Sequence, residues 1–274
     1  MLFTKSCSCY ARRMTDERLR SRSLPVLQPP PRTVATRYSP DVLQGIALGE
    51  AAALGPLMTK NVAGAVEAAA TASQRAESLM AGAMQHEPPE EDIACARGCS
   101  TCCQAKVIVV APEILRIGEY LRQTKSPDEL NTLLEKVRRA DTITRGLSRN
   151  ARAEARVFCP LLDDDGGCGI HEVRPLVCRS WTAYDAGACV AYWRAPLGQP
   201  TPPQWPVGYE LAQAVLAGLG KACLDGGFDG LPLEFIAALR TVLERPTAGE
   251  RWHKKLPVFM GARDAEWAEK NMET

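Results

Sequence analysis

The sequence predicts a mainly α-helical protein, with helices packed around a small, loop-rich cysteine core that holds at most a short strand or hairpin. Three observations lead there. Apolar residues recur at helical spacing behind clear start signals in several stretches. The apolar run at residues 107–110 is short enough for a strand of one turn of pleat. Eight of the eleven cysteines fall between Cys95 and Cys189, among turn formers that suit loops.

Composition narrows the class. The chain has 274 residues with 33 Lys and Arg against 32 Asp and Glu, 46% hydrophobic and 24% charged, which excludes collagen, coiled coil and wholesale disorder. The first 40 residues carry eight basic side chains against Asp16 and Glu17, a net of +6, and the remainder, 25 basic against 30 acidic, a net of −5. A basic tail therefore precedes a mildly acidic body. No window approaches the roughly 18 uninterrupted apolar residues of a membrane helix. Arg12-Arg13 is followed by Thr15-Asp16-Glu17-Arg18 instead of an apolar segment, so a secretory signal is not expected. The reading is a cytoplasmic protein without a membrane span, whose start could be Met1 or Met14. In a reducing compartment so many thiols serve metals or chemistry more often than disulfides.

Residues 1–39, rich in Arg, Ser and Pro, read as a disordered basic tail. Residues 40–88 form an Ala-rich helical segment and linker, with Pro56 expected to divide two helices. Residues 89–195 are read as the cysteine-cluster domain. Within it, Pro112-Glu113 opens one helix, with Ile114, Leu115, Ile117 and Leu121 on a face. Ser126-Pro127-Asp128-Glu129 is a capping box for a second, continued by Leu130, Leu133, Leu134 and Val137, with an exposed polar stretch expected beyond Arg138. Residues 196–274 are a helical C-terminal packing segment, with helices near 209–224 and 232–243 and with Trp252 and Trp267 as anchors.

The cysteines form two blocks. Cys95, Cys99, Cys102 and Cys103 lie within nine residues, with Gly98 available for a backbone bend. Cys159, Cys168, Cys178 and Cys189 follow at gaps of eight, nine and ten, punctuated by Pro160, Gly166, Gly167 and Pro175. Thiolates are soft ligands for zinc, copper(I) or iron–sulfur clusters, and a Cys-x2-Cys turn presents two sulfurs to one ion. Four thiolates pressed together without a cation repel one another. Two four-coordinate sites, one site built from both blocks, or a polynuclear cluster all satisfy the count, against buried free thiols or redox disulfides. Arg97, Lys106, Arg174 and Arg179 alternate with the cysteines and can offset their negative charge. Cys7, Cys9 and Cys223 are scattered singly, as structural cysteines are. His171, three residues after Cys168, is read first as a surface-turn histidine and second as a nitrogen ligand. Asp163-Asp164-Asp165-Gly166-Gly167 lacks the alternating ligands of a calcium loop, whose twelfth position is here Arg174. Phosphate-cradling glycine motifs are absent from the sequence, and the three histidines give no nucleophile triad.

Cys99-x2-Cys102-Cys103 preceded by Cys95, Phe158-Cys159-Pro160-Leu161-Leu162, Cys168-Gly169-Ile170 and Arg174-Pro175-x2-Cys178-Arg179 together resemble the YkgJ-type cysteine-cluster family of zinc- or iron-chelating proteins. The resemblance covers about a third of the chain, from Cys95 to Cys189. It implies metal ligands at Cys95, Cys99, Cys102, Cys103, Cys159, Cys168 and Cys178, with Arg174 and Arg179 in support. Cys189 is added on spacing alone. Two departures stand out: the first gap is three residues instead of two, and His171 replaces a frequent tyrosine.

The function expected is a protein coordinating zinc or iron, with a 4Fe–4S cluster among the alternatives, in a structural or redox role. A protein-modifying enzyme similar to the flagellin lysine N-methylases, which share the cysteine pattern, is the alternative. A third reading gives the basic tail, residues 5–37, a nucleic acid or anionic surface as partner.

Overall fold

The computed structural model describes residues 37–197 and 200–272. The expected basic tail thus lies almost wholly outside the described residues. The fold is mainly α, with eleven helices and one two-stranded hairpin among the described residues. Helices α1 (Pro40–Met58), α2 (Val62–His86) and α8 (Pro206–Asp225) pack together on small residues. Ala47, Ala51 and Leu54 of α1, Ala65, Ala68, Ala69 and Ala72 of α2, and Val215, Leu216 and Leu219 of α8 share one buried cluster. Small side chains let helix axes approach closely, so this layer is tight: a Cβ added at Gly218 would stand 2.6 Å from the Ala47 carbonyl oxygen.

Local signals set the helix starts. The Ser39 hydroxyl accepts from the Val42 N–H ahead of Pro40 at the first turn of α1. Asn61 Oδ1 accepts from the Gly64 N–H at 2.8 Å and starts α2. The division between α1 and α2 therefore falls at residues 59–61. Pro56 sits inside α1, close enough to its end that α1 closes at Met58 without a break at the proline.

Strand β1 (Ile108–Val109) pairs antiparallel with β2 (Leu233–Glu234) in the register Ile108↔Glu234 and Val109↔Leu233. The pair ties the cysteine segment to the C-terminal helices. Behind it, α3 (Ala111–Thr124) packs on α2 and on α9 (Phe235–Glu244), burying Ile114, Leu115, Ile117 and Leu121. Helix α4 (Pro127–Thr144) opens on the expected capping box, the Ser126 N–H donating to Glu129 at 2.7 Å.

Beyond Arg138 only one face of α4 is exposed as expected, through Arg139, Thr142 and Ile143. Ala140, Asp141 and Thr144 continue the stripe of Leu133 and Val137 and are buried. The Asp141 carboxylate accepts from Arg145 at 2.6 Å and from Arg240 of α9 at 2.9 Å. A polar residue was thus buried because a partner helix supplied its counter-charge, which sequence spacing does not reveal.

The short helices α5 (Arg149–Ala155), α6 (Leu176–Ser180) and α7 (Ala186–Arg194) lie between the cysteine loops. Helix α10 (Ala248–His253) seats Trp252, fully buried, with its indole N–H donating to the Asp229 carbonyl at 2.9 Å. Helix α11 (Ala265–Met272) ends the described chain. Among the described residues no helix is long and apolar enough to cross a membrane.

Candidate metal centre

Four segments converge on the cysteines. The first is the knuckle at residues 95–103, where Gly98 takes φ +85° and the Cys99 N–H donates back to the Ala96 carbonyl at 3.0 Å. That left-handed bend is the one a side chain would resist. The chain then makes a short 3-10 turn, Thr101–Gln104. The second segment is knitted to it directly, the Cys159 N–H donating to the Cys103 carbonyl at 2.8 Å. It loops through Gly166, φ +77°, returns in a bridge between Leu162 and Cys168, and enters the 3-10 turn His171–Val173. The third is α6, which carries Cys178. The fourth is α7, with Cys189.

Seven of the eight clustered cysteines, Cys95, Cys99, Cys102, Cys103, Cys159, Cys168 and Cys178, line one cavity of about 540 Å³. Cys189 is buried on α7 outside that wall, with Cys95, Cys102 and Cys99 as electrostatic neighbours. All nine described cysteines are free thiols. Among the described residues no three His, Cys, Asp or Glu side chains stand together as a ready metal cage. The sulfurs share a wall without closing on a common point.

Electrostatics explain what the wall does. The Cys102 thiol is pushed far up by its contact with the Cys103 thiol and by burial. Burial, then Cys168, raise Cys159 to about 12, and burial, then Cys95, raise Cys189 to about 11. Cys178 is raised strongly by burial and by Cys159, Cys102 and Cys168. Burial raises Cys95 as well, opposed by the Ala183 N–H, which donates to its sulfur at 3.3 Å. These groups are held as neutral thiols chiefly by burial, and further because each disfavours charge on the next. A soft cation reverses that balance, since a coordinated thiol is deprotonated outright. The donor set therefore fits zinc or iron.

The four cations expected among the cysteines have separate fates. Arg174 lines the cavity and is felt by Cys95, Cys102, Cys168 and Cys178. Arg179 is a tie. Its guanidinium donates to the Arg174 carbonyl at 3.0 Å and to the Glu172 carbonyl at 2.5 Å, and pairs with Glu77 of α2. Lys106 is buried against Asp264 and Glu266, so its charge is met by those carboxylates rather than by the sulfurs. Arg97 is 88% exposed and meets Asp165 at 3.6 Å, an ion pair worth little in water. His171 is exposed at the cavity mouth, its pKa lowered first by the Arg174 cation.

Two residues escaped sequence reading. Arg152 of α5, 1% exposed, reaches the wall beside Cys159 and Glu234. Its spacing from Cys159 matches no motif, and its burial follows from tertiary packing. Glu113 of α3 accepts from the Val110 N–H at 3.2 Å and from the Leu176 N–H at 2.9 Å. It thereby caps α6, whose own N-cap is Pro175 with no side-chain acceptor. Pro112-Glu113 signalled a helix start, but nothing in sequence linked it to Leu176.

No curated protein and no solved structure matches the chain. Residues 94–193, which carry all eight clustered cysteines, match the family model named CxxCxxCC and described as a "putative zinc- or iron-chelating domain".

Proposed function

We propose that this protein binds zinc or iron through its clustered cysteines, and that the metal clamps the loops of residues 89–195 onto the helical layer. The observation that carries this is the convergence of seven cysteines from three chain segments on one cavity wall. Cys95, Cys99, Cys102, Cys103, Cys159, Cys168 and Cys178 are the ligands drawn on, and Cys189 completes the set from behind the first block. Bound metal supplies charge to hold the thiolates and a cross-link between loops of little regular structure. The chain's own residues do the positioning. Gly98 bends the knuckle, Glu113 fixes the start of α6, and Arg179 holds the turn before it by two carbonyls. Arg174 offsets the negative charge of the assembled site.

The finer family reading, a YkgJ-type member, rests on the order of the cysteine blocks. The nine described cysteines, all free thiols, suit a reducing, cytoplasmic setting.

The test is metal and acid-labile sulfide analysis, with a visible spectrum, on the full chain purified without oxygen. Stoichiometric zinc with no colour assigns a structural clamp, and iron with sulfide and a broad visible band assigns a cluster. Protein free of both metals, and unable to take up either, overturns the proposal.

A further inference from the structure

The cysteine-lined cavity carries an unanswered set of hydrogen-bond donors. Arg152 is almost wholly buried, yet its Nε and Nη1 meet no hydrogen-bond partner among the described residues. The same holds for Arg174 Nε, Trp181 Nε1 and Thr182 Oγ1, and all four residues line the cavity. Glu234 is the carboxylate that Arg152 faces, but its Oε2 accepts from the Ala237 N–H at 2.8 Å and no hydrogen bond joins it to Arg152. A buried guanidinium cannot shed its proton, and leaving its N–H groups without acceptors is costly even with a carboxylate nearby. Thiol sulfurs are weak acceptors and none meets these donors in hydrogen-bond geometry.

Volume points the same way. A cavity of about 540 Å³ falls within the range of small-molecule sites and is far larger than an ion held by thiolates needs. A planar guanidinium fork matches the oxygens of a carboxylate or phosphate, and an indole N–H and a hydroxyl add neutral donors.

We propose that the cavity takes a small oxyanion, a carboxylate or phosphate group, seated on Arg152 and Arg174 with Trp181 and Thr182 as further donors, beside the cysteines. The inference rests on the metal reading only in assigning this ligand to the same cavity; the arginines hold it whether or not metal is present. A metal-thiolate site is thereby given a substrate or effector class, a small anionic molecule admitted at the mouth near His171.

The experiment is calorimetric titration of the full chain, metal-loaded and after chelation, with inorganic phosphate and separately with acetate. Wild type is expected to bind one of the two saturably at one site, which also tells phosphate from carboxylate. Arg152→Gln is expected to weaken that binding about tenfold or more, since a hydrogen bond to a charged group is lost. Arg152→Lys keeps the charge without the fork and is expected to fall between. Trp181→Phe, which removes one N–H and no charge, is expected to weaken binding about threefold to tenfold and serves if Arg152→Gln fails to fold by circular dichroism. Absence of saturable binding of both anions by wild type, or equal binding by Arg152→Gln or Trp181→Phe, overturns the proposal. Metal without anion binding sinks this inference alone, whereas anion binding without metal sinks the metal reading alone.

Discussion

Cys178 is half-buried and Cys223 buried, and their surroundings separate them. Cys178 faces Cys159, Cys102 and Cys168 across the cavity, whereas Cys223 lies in the apolar core with its sulfur 3.9 Å from that of Met58. Cys102→Ser and Cys178→Ser are expected to weaken metal affinity by about 100-fold or more, the loss of a ligand exceeding that of a supporting residue. Cys223→Ser is expected to leave metal content unchanged while costing about 1–3 kcal/mol, because it buries a hydroxyl among apolar groups. Metal analysis and urea melts of the three variants check this, and equal metal content in all would remove Cys102 and Cys178 from the ligand set. Glu113 gives a pH signature. Burial raises its carboxyl to about 7 despite two backbone N–H donors. A folded-state pKa above the unfolded value means that its contribution to stability is complete below about pH 4.5 and is lost as pH rises through about 7. The loss amounts to about 3 kcal/mol. Glu113→Gln, neutral throughout but short of one acceptor, is expected to be the less stable protein at pH 5 and to close that gap by pH 8. Urea midpoints that stay parallel across this range would show that Glu113 does not titrate there.

The helices and loops differ in what holds them. Helix α1 meets α8 through Gly218, where a Cβ would come 2.5 Å from Glu50 Cβ and 2.6 Å from the Ala47 carbonyl. Backbone on one side leaves no room for side-chain adjustment, so Gly218→Ala is expected to separate the two helices and cost about 1–3 kcal/mol. A lowered urea midpoint with unchanged metal content is the expected result, and an unchanged midpoint would show the layer to be looser than the contact implies. The cysteine loops instead have short 3-10 turns and the five-residue α6. They are held by local turns and by backbone bonds between the blocks, by the buried side chains of Leu161, Ile170, Leu176 and Val177, and by Glu113 and Arg179. Helix starts were legible at Pro112-Glu113 and at the Ser126–Glu129 box, whose signals act within one turn, whereas the caps at Ser39 and Asn61 were not singled out in the sequence. The break at residues 59–61 was misread at Pro56 because a proline near a helix C-terminus removes little that the helix still needs.

Across the molecule, one continuous core runs from the helical layer into the cysteine segments through Leu161, Ile170, Val173, Leu176 and Val177, while those segments have little regular structure. Chelation is therefore expected to loosen the loops before the layer. Limited proteolysis after metal removal should open cuts at residues 94–105 and 156–175 while α1, α2 and α8 stay protected, with helical circular dichroism largely retained. Simultaneous loss of both would mean that the metal supports the whole fold, as it does in small zinc domains. The sequence by itself determined the helical class, the two cysteine blocks and the soft thiol donor set, because capping, periodicity and Cys spacing act over a few residues. Tertiary structure alone decided how each cation beside the sulfurs is paired. Lys106 is taken up by Asp264 and Glu266, and Arg179 by carbonyls and Glu77. Arg152, silent in sequence, is brought to the same wall, which Lys106 and Arg179 also line. Charge pairing and burial depend on partners up to 160 residues away, as Glu266 is from Lys106, and no local pattern records them.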